Sequence, residues 1–301
     1  MAGLPIVAID FSSVEPNEGI KRIYPLIPIF TAIFCLLTVF APLSRAQAES
    51  EVLRISGSTT VLPIAQRGAE YFMGLKPETR LSVSGTGSGE GLKALVEKAT
   101  DIATSSRDLK PREIQRMAEH GVQMVRHTVA IDCLVVVVHP DNPVNDLSLE
   151  QLKGLYDGRI KNWLEVGGVD KKVIAINRDI SSGTFETWLE MVLHGARFRP
   201  DAQMQTSSGG VVYAVSGNRY AIGYIGLGYV TPRVKVVSVG GVRPTLETVR
   251  SGHYPLARKL FMFTLADPPA LAVDFINFLT SPDGSKLVER EGFISVEAGD
   301  V

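Results

Sequence analysis

The sequence is poor in cysteine and in net charge, and both shortages exclude classes of protein. It has two cysteines among 301 residues, Cys35 in an apolar N-terminal stretch and Cys133 in a later apolar run, so a disulfide-rich scaffold is excluded. We expect Cys133 to fill core space, as buried free cysteine does. Lysine and arginine (31) nearly balance aspartate and glutamate (32), leaving a formal charge of -1. No basic field therefore exists to hold a nucleic acid, and any anion site must be local.

The signature motifs of common enzyme classes are also missing. The stretch GTGSGEG from Gly85 fails the dinucleotide pattern G-x-G-x-x-G because Glu90 occupies its last position, and no G-x-x-x-x-G-K-[ST] loop occurs. No G-x-S-x-G elbow occurs, and the five histidines are scattered without an H-E-x-x-H motif. We therefore predict no cofactor, no metal and no enzymatic activity. A phosphatase-like hydrolase that uses one hydroxyl as its nucleophile stays open as the alternative.

Residues 1–48 differ from the rest of the chain and match a secretion signal. Lys21-Arg22 precede an uncharged run over 23–43, and the sequence AQA at 46–48 is an A-x-A cleavage site. The densest apolar part, 29–41, is short for a membrane span, which favours a cleaved signal over a permanent anchor. We expect a leader that is removed and a periplasmic mature protein, with a membrane-anchored form as the alternative.

After the leader, short β-branched runs alternate with segments of 3.6-residue periodicity, which predicts an α/β fold. The predicted strands are 52–55, 81–84, 102–104, 123–127, 130–139, 173–177 and 234–239. Helices are predicted after the loops GSTT, GTGSGEG and SSGT, and from Pro111, a favoured first-turn residue, to Gly121, a favoured terminal one. The apolar runs CLVVVVHP and KLFMFTL are the best candidates for strands that cross between two lobes.

Three loops share one design, in which a strand is followed by small hydroxyl and glycine residues and then by a helix. They begin at Ser56 (SGSTTVLPIAQ), Ser84 (SGTGSGEGLKAL) and Arg178 (RDISSGTF). A helix N-terminus has unpaired N–H groups and about half a positive charge, so it attracts phosphate-like anions. One such loop alone is more typical of a helix cap. Their recurrence favours a shared anion site, to which Arg178 adds a planar fork of donors.

Seven stretches, in order, resemble the phosphate-binding subunit of bacterial phosphate ABC transporters, a type II periplasmic binding protein. They are ISGSTTVLPIAQ, VSGTGSGEGLKAL, TDIATSSRDL, IKNWLEVGG, RDISSGTFETW, AIGYIGLGYV and SPDGSKLVEREGFISV. The resemblance covers nearly all of residues 51–297. It implies two lobes, each a mixed sheet flanked by helices, that are joined by two crossing strands. The implied boundaries put residues 49–128 and 255–301 in lobe one and 129–254 in lobe two.

The resemblance implies a receptor that closes around free inorganic phosphate. Such a receptor is a monomer without a cofactor, and it delivers phosphate to the membrane permease and ATPase of an importer. By motif, the implied ligand contacts are Thr59 and Thr60 in the first loop, Ser88 in the second, and Arg178, Ser182, Gly183 and Thr184 in the third.

The chain departs from the family pattern at one position. Where the family has an aspartate that accepts a proton from the ligand and so rejects sulfate, this sequence has Ser106 followed by Arg107. We expect both residues to contact the ligand, with Asp108 or Asp179 orienting an arginine. A solvent-facing Arg107 paired with Asp108 is the alternative. Receptors for sulfate, molybdate or tungstate, and a phosphate-responsive signalling or surface protein, also stay open.

Overall fold

The computed structural model describes residues 52–296, which form ten β-strands and nine α-helices. The strands are β1 (Val52–Gly57), β2 (Arg80–Gly85), β3 (Ile102–Ser105), β4 (Met124–Val138), β5 (Asp146–Leu147), β6 (Ile174–Arg178), β7 (Gln203–Gln205), β8 (Ala221–Gly226), β9 (Lys235–Val239) and β10 (Ala257–Leu265). The helices are α1 (Leu62–Leu75), α2 (Ser88–Val96), α3 (Pro111–Glu119), α4 (Leu149–Asp157), α5 (Gly183–Met191), α6 (Ser208–Ser216), α7 (Leu246–Arg250), α8 (Ala270–Leu279) and α9 (Pro282–Arg290). The signal peptide predicted within 1–48 lies outside the described residues. Within 52–296, none of the helices has the length and apolar character that a membrane crossing requires.

The α/β prediction is confirmed, and the predicted helices and most predicted strands are present. The strands predicted at 123–127 and 130–139 are one strand, β4, because its pairing with β10 shifts register at Leu260/Phe261 without ending the strand. The prediction missed β5, β7 and β8. All six residues of β8 are buried, so their sequence, AIGYIG, shows no polar alternation, and glycine is unusual in strands.

The strands form one continuous sheet with parallel and antiparallel parts. Their order is β2-β1-β3-β10-β4-β8-β6-β7, with β9 paired to β4 and to β5. At one end β1 lies parallel to β2 and β3, and at the other β6 lies parallel to β7 and β8. The two long strands β4 and β10 pair antiparallel in the middle. Parallel neighbours end at the same edge of a sheet, so each end of this sheet gathers its own helix N-termini.

Two large hydrophobic cores lie within residues 52–296. The first core packs α1 and α8 against β1, with Phe72 and Phe275 in edge-to-face contact. The second core surrounds β6 and β8 and contains Trp163 and Trp188. The lobe boundaries at 128/129 and 254/255 stay a prediction.

Strands β4 and β10 pass from one core to the other. Strand β4 places Val129 and Ala130 in the first core and its later residues, Cys133–Val138, in the second. A third connection, absent from the sequence prediction, is made near the C-terminus. There Phe293 packs in the first core, while Ile294 packs in the second and pairs with β4 through backbone hydrogen bonds.

Candidate functional site

The three predicted loops meet at one place. In the first and third loops, the hydroxyl oxygens of Thr60 and Thr184 lie 3.0 Å apart, although the residues are 124 positions apart in sequence. The second and third loops also touch, because the Gly89 amide donates a 3.0 Å hydrogen bond to the Ser181 carbonyl. These contacts bring helix N-termini from both ends of the sheet to a shared cleft, as the loop design predicts.

The hydroxyls of the first two loops are buried and contact one another or neighbouring amides. Thr59 Oγ1 accepts a 3.3 Å hydrogen bond from the Ser208 amide. Ser88 Oγ lies 3.4 Å from Ser106 Oγ and accepts from the Ser106 amide at 3.2 Å. Thr59, Thr60, Ser88 and Ser106 are each 4% exposed or less. A hydroxyl both donates and accepts, so these groups are able to turn toward a ligand without leaving their positions.

The third loop places the start of helix α5 directly against these hydroxyls. Ser182 is the N-cap residue, and its Oγ accepts a 3.3 Å hydrogen bond from the Phe185 amide. A Cβ atom on Gly183 would lie 2.5 Å from Ser88 Oγ and 2.6 Å from Ser106 Oγ. Only glycine therefore allows the positive end of α5 to come this close to the other loops.

Arg178 is fixed beneath the cleft by donating to the last residue of β7 and to the residues that follow it. Its guanidinium donates to the Gln205 carbonyl (3.1 Å), the Thr206 carbonyl (3.2 Å) and Ser208 Oγ (3.2 Å). The residue is 1% exposed. Burial lowers the pKa of Arg178, and the Asp179 carboxylate, 3.5 Å from Nη2, opposes that shift. The predicted cation is thus present and held in one orientation.

Ser208 belongs to the same cluster, and the sequence analysis missed it. Its Oγ lies 3.5 Å from Thr59 Oγ1, and it is the first residue of α6, whose N-cap is Ser207. The stretch TSSGG at 206–210 has the same small-residue design as the third loop and was the available signal. A fourth helix N-terminus therefore faces the cleft.

A buried ion pair between Arg258 and Asp132 was also missed. The Arg258 guanidinium lies 2.8 Å from the Asp132 carboxylate, and it donates to Thr184 Oγ1 at 3.1 Å and to Thr60 Oγ1 at 3.3 Å. The two residues are 126 positions apart and belong to no motif. The available signal was an aspartate within the apolar run AIDCLVVVV.

Arg107 lies beside the cleft, with its guanidinium engaged by two carboxylates. It donates to both oxygens of Glu113 (2.7 and 2.8 Å), and its Nε lies 2.7 Å from Glu186 Oε2 without the alignment of a hydrogen bond. Its side chain is 8% exposed, and the Asp108 carboxylate pairs with Arg126 instead. The alternative of a solvent-facing Arg107 paired with Asp108 is therefore wrong.

These charges form an ion cluster across the cleft, which we define as Arg107, Lys110, Arg112, Glu113 and Glu186. Glu186 belongs to α5, and the other four belong to the segment from β3 to α3; Lys110 and Arg112 also pair with Glu186. Burial alone would raise the pKa of Glu113, but hydrogen bonds from Arg107 and the Lys110 amide outweigh it and hold the pKa below its ordinary value. The ion cluster connects the half of the sheet that contains β3 to the half that contains β6.

The arrangement suits a small anion held by hydrogen bonds. N–H and O–H donors from four helix N-termini converge here with two buried guanidinium groups, a donor set that anions favour. Among the described residues, the Ser88 hydroxyl contacts Ser106 and the Ser182 hydroxyl accepts from the Phe185 amide, and neither of these partners is the base that a nucleophile requires. Among residues 52–296, no group of His, Cys, Asp and Glu side chains could hold a metal ion.

Comparison with known families and sequences finds clear similarity. The family model described as PBP superfamily domain matches residues 44–283. The phosphate-binding protein PstS of Borreliella burgdorferi is 32% identical over 281 residues, covering 89% of this chain and 99% of that protein. The PstS of Bacillus subtilis is 35% identical over 246 residues, covering 81% of this chain and 80% of that protein.

Solved structures with similar folds include two proteins of phosphate transport. A Clostridium perfringens protein assigned to phosphate ABC transport, solved with bound phosphate, has a TM-score of 0.77 and 34% identity, covering 82% of this chain and all (100%) of that one. An ABC-type phosphate transport receptor from Vibrio cholerae has a TM-score of 0.67 and 33% identity, covering 81% of this chain and 100% of that one.

Proposed function

Since this chain belongs to the PBP superfamily, and within it to the family of PstS phosphate-binding proteins, we propose that it captures inorganic phosphate and delivers it to an ABC-type importer. It acts as a receptor without covalent chemistry, and its partners are a membrane permease and an ATPase. The related PstS proteins and the phosphate-bound structure from Clostridium perfringens support the choice of ligand.

The observation that carries this function is the contact between hydroxyls from different loops, with Thr60 and Thr184 at 3.0 Å. A tetrahedral anion presents oxygens in several directions, so it needs donors that come from separate segments of the chain. Helix N-termini provide such donors with a favourable dipole. In a cleft shielded from water, each of these hydrogen bonds is stronger than it would be in bulk solvent.

The proposed contacts combine backbone amides, hydroxyls and arginines. They are Thr59, Thr60, Ser88, Ser106, Arg107, Arg178, Ser182, Gly183 and Thr184. For the eight other than Arg107, their position at the meeting point of the loops supports the proposal. Arg107 stays a proposed contact although Glu113 and Glu186 engage its guanidinium, and an unchanged phosphate affinity of Arg107→Ala would remove it from the site.

The place of action follows from the proposed transport function. A receptor for an importer works outside the cytoplasmic membrane, so we propose that the chain is exported by its N-terminal signal and acts in the periplasm as a monomer. Mass spectrometry of the protein from its native compartment would give the mature N-terminus and the bound anion. A retained leader would contradict the cleaved form.

Calorimetric titration with inorganic phosphate tests the function. We expect tight binding by phosphate-free wild-type protein and a loss of affinity in Thr184→Val, which keeps the shape of the side chain and removes its hydroxyl. Thr264→Val is the matched control, because Thr264 is 1% exposed and its hydroxyl contacts His127 rather than the cleft. Wild-type protein that binds no phosphate overturns the proposal.

Another tetrahedral oxyanion is the second candidate, because Ser106 stands where the family has its proton-accepting aspartate. Phosphate carries a proton near neutral pH and sulfate does not. Competition between the two anions across pH therefore separates the candidates. Binding of phosphate that persists in a large excess of sulfate favours the phosphate receptor, whereas displacement by sulfate, molybdate or tungstate favours the second candidate.

A further inference from the structure

Arg258 and Asp132 form a buried ion pair at the point where the two longest strands run side by side. Arg258 lies on β10 directly opposite Asp132 on β4. Their side chains are 5% and 0% exposed. The Asp132 carboxylate also accepts a 2.8 Å hydrogen bond from the Leu227 amide. The strand pairing, the ion pair and the Leu227 amide together hold the two side chains, so Arg258 has a fixed position beneath the cleft.

Four of the five N–H groups of Arg258 have named partners. Nε and Nη2 donate to Asp132 Oδ2 at 2.9 and 2.8 Å. Nη1 donates to Thr184 Oγ1 at 3.1 Å, and Nη2 donates to Thr60 Oγ1 at 3.3 Å. A guanidinium donates and never accepts. Both threonine oxygens therefore act as acceptors toward Arg258.

These acceptor roles restrict the directions in which the two threonine hydroxyls donate their protons. A hydroxyl has one proton and two lone pairs, and the two threonine oxygens lie 3.0 Å apart with either able to donate to the other. The hydroxyl that receives this bond already accepts from Arg258, so both of its lone pairs are occupied. Its proton is therefore left for a third group, such as an anion bound in the cleft.

We propose that Arg258 is a positioning residue: it does not contact the ligand, and it directs toward the bound anion the one hydroxyl proton that is left when Thr60 and Thr184 bond to each other. The inference rests on the proposed phosphate-binding function. Because Thr60 belongs to the first loop and Thr184 to the third, one guanidinium orients donors on both sides of the cleft. The charged groups that act on Arg258 are Asp132 and Arg178, and they are buried with it.

The test is phosphate affinity measured by calorimetry in Arg258→Lys. Lysine keeps the charge beside Asp132, but a single ammonium does not reproduce the planar fork that reaches two hydroxyls. We expect a loss of affinity of about ten- to a hundredfold, the size of one hydrogen bond that involves a charged group. Arg199→Lys is the matched control, because Arg199 is a buried arginine (side chain 3% exposed) that pairs with Asp201 and contacts neither threonine.

Backgrounds that lack one hydroxyl separate positioning from a merely structural role. We expect the loss caused by Arg258→Lys to shrink in Thr60→Val and in Thr184→Val, and to stay full in Thr60→Ser and Thr184→Ser, which keep a hydroxyl. Residues that act as one unit show such non-additive effects. An equal loss in every background overturns the inference, as does an unchanged affinity in Arg258→Lys.

Two further measurements make the outcome decisive. Thermal unfolding of each variant checks that it folds. If Arg258→Lys is unfolded, the neutral double variant Arg258→Gln with Asp132→Asn replaces it. We expect the double variant to show the same pattern of affinity losses across the four threonine backgrounds. Phosphate binding by wild-type protein separates the two levels of inference. Wild-type protein that binds no phosphate overturns the proposed function, whereas normal wild-type binding with equal losses in all backgrounds overturns the role of Arg258 alone.

Discussion

Gly183→Ala is the smallest change that should force the two sides of the cleft apart. The added Cβ would lie 2.5 Å from Ser88 Oγ, 2.6 Å from Ser106 Oγ and 3.1 Å from Arg107 Cγ, and ordinary contact begins at 3.4 Å. Turning one hydroxyl does not clear all three contacts, so we expect the loops to separate by up to about 0.9 Å. Gly183 is not among the residues with positive φ, so the methyl group causes no backbone strain of its own. The effect is therefore a displacement of the start of α5 from the second loop.

That displacement should weaken binding by a predictable amount. A shift of this size lengthens the 3.0 Å approach of Thr60 to Thr184 to beyond hydrogen-bond range. Losing one hydrogen bond to a charged group costs about 1.5–3 kcal/mol. Each 1.4 kcal/mol is about tenfold in Kd, so phosphate affinity should fall by about ten- to a hundredfold.

Calorimetric titration with phosphate checks this expectation against a glycine elsewhere. Gly209→Ala is the matched control, since Gly209 also lies in the first turn of a helix, α6, and nothing lies within 4 Å of its Cβ position. We expect the control to bind as wild type. Wild-type affinity in a folded Gly183→Ala protein would refute the argument, because it would mean that close approach of α5 is not needed for binding.

Three other predictions concern stability, pH and salt. Gly91→Ala would place a Cβ 2.5 Å from the Gly57 Cα, so it should lower the free energy of unfolding by about 1–3 kcal/mol or more. Urea unfolding measures this loss. Gly74→Ala is the control, because no atom lies within 4 Å of the Cβ position of Gly74, and it should not show the loss. Because the folded pKa of Glu113 lies below its ordinary 4.5, its contribution to stability is present above that pH and is lost as pH falls through the folded pKa. Thermal unfolding should therefore show a larger difference between wild type and Glu113→Gln at neutral pH than at acidic pH, and a constant difference would contradict the role of its pairing with Arg107. Phosphate affinity should fall only modestly with added salt, because the site charges are buried, and a steep dependence like that of polyanion binders would argue against the site.

The loops and helices could be predicted because their signals are local. Pro111 at the start of α3, the N-cap Ser182 before α5 and the 3.6-residue periods each act within a few residues, so the sequence carries them directly. The meeting of the loops also followed, since strand–loop–helix units in α/β proteins place their helix N-termini at one edge. Strand β8 was not predicted, because a strand that is buried on both faces lacks the alternation of polar and apolar residues.

The side-chain partners could not be predicted because they depend on register and packing. Arg258 meets Asp132 only because β10 pairs with β4 in one particular register. Arg107 was expected to face the ligand, but α3 and α5 bring Glu113 and Glu186 within 2.7 Å of its guanidinium. A buried charged side chain pairs with the nearest opposite charge. The local sequence does not show which carboxylate will be nearest in the folded chain.

Selectivity between phosphate and sulfate depends on where the ligand's proton is accepted. The carboxylate of Asp132 is bound to Arg258, and those of Glu113 and Glu186 are bound to Arg107. Asp179 Oδ2 is buried without a hydrogen-bond partner and lies 3.5 Å from Arg178. Glu186 Oε2 also lacks a hydrogen-bond partner, but it forms close ion pairs with Arg107 and Lys110. An unsatisfied buried oxygen is costly, so a ligand that donates a proton there gains an interaction that fully ionised sulfate lacks. We therefore expect Asp179, beyond orienting Arg178, to accept the ligand's proton and to preserve the preference for phosphate in the competition experiment, and equal binding of sulfate would refute this.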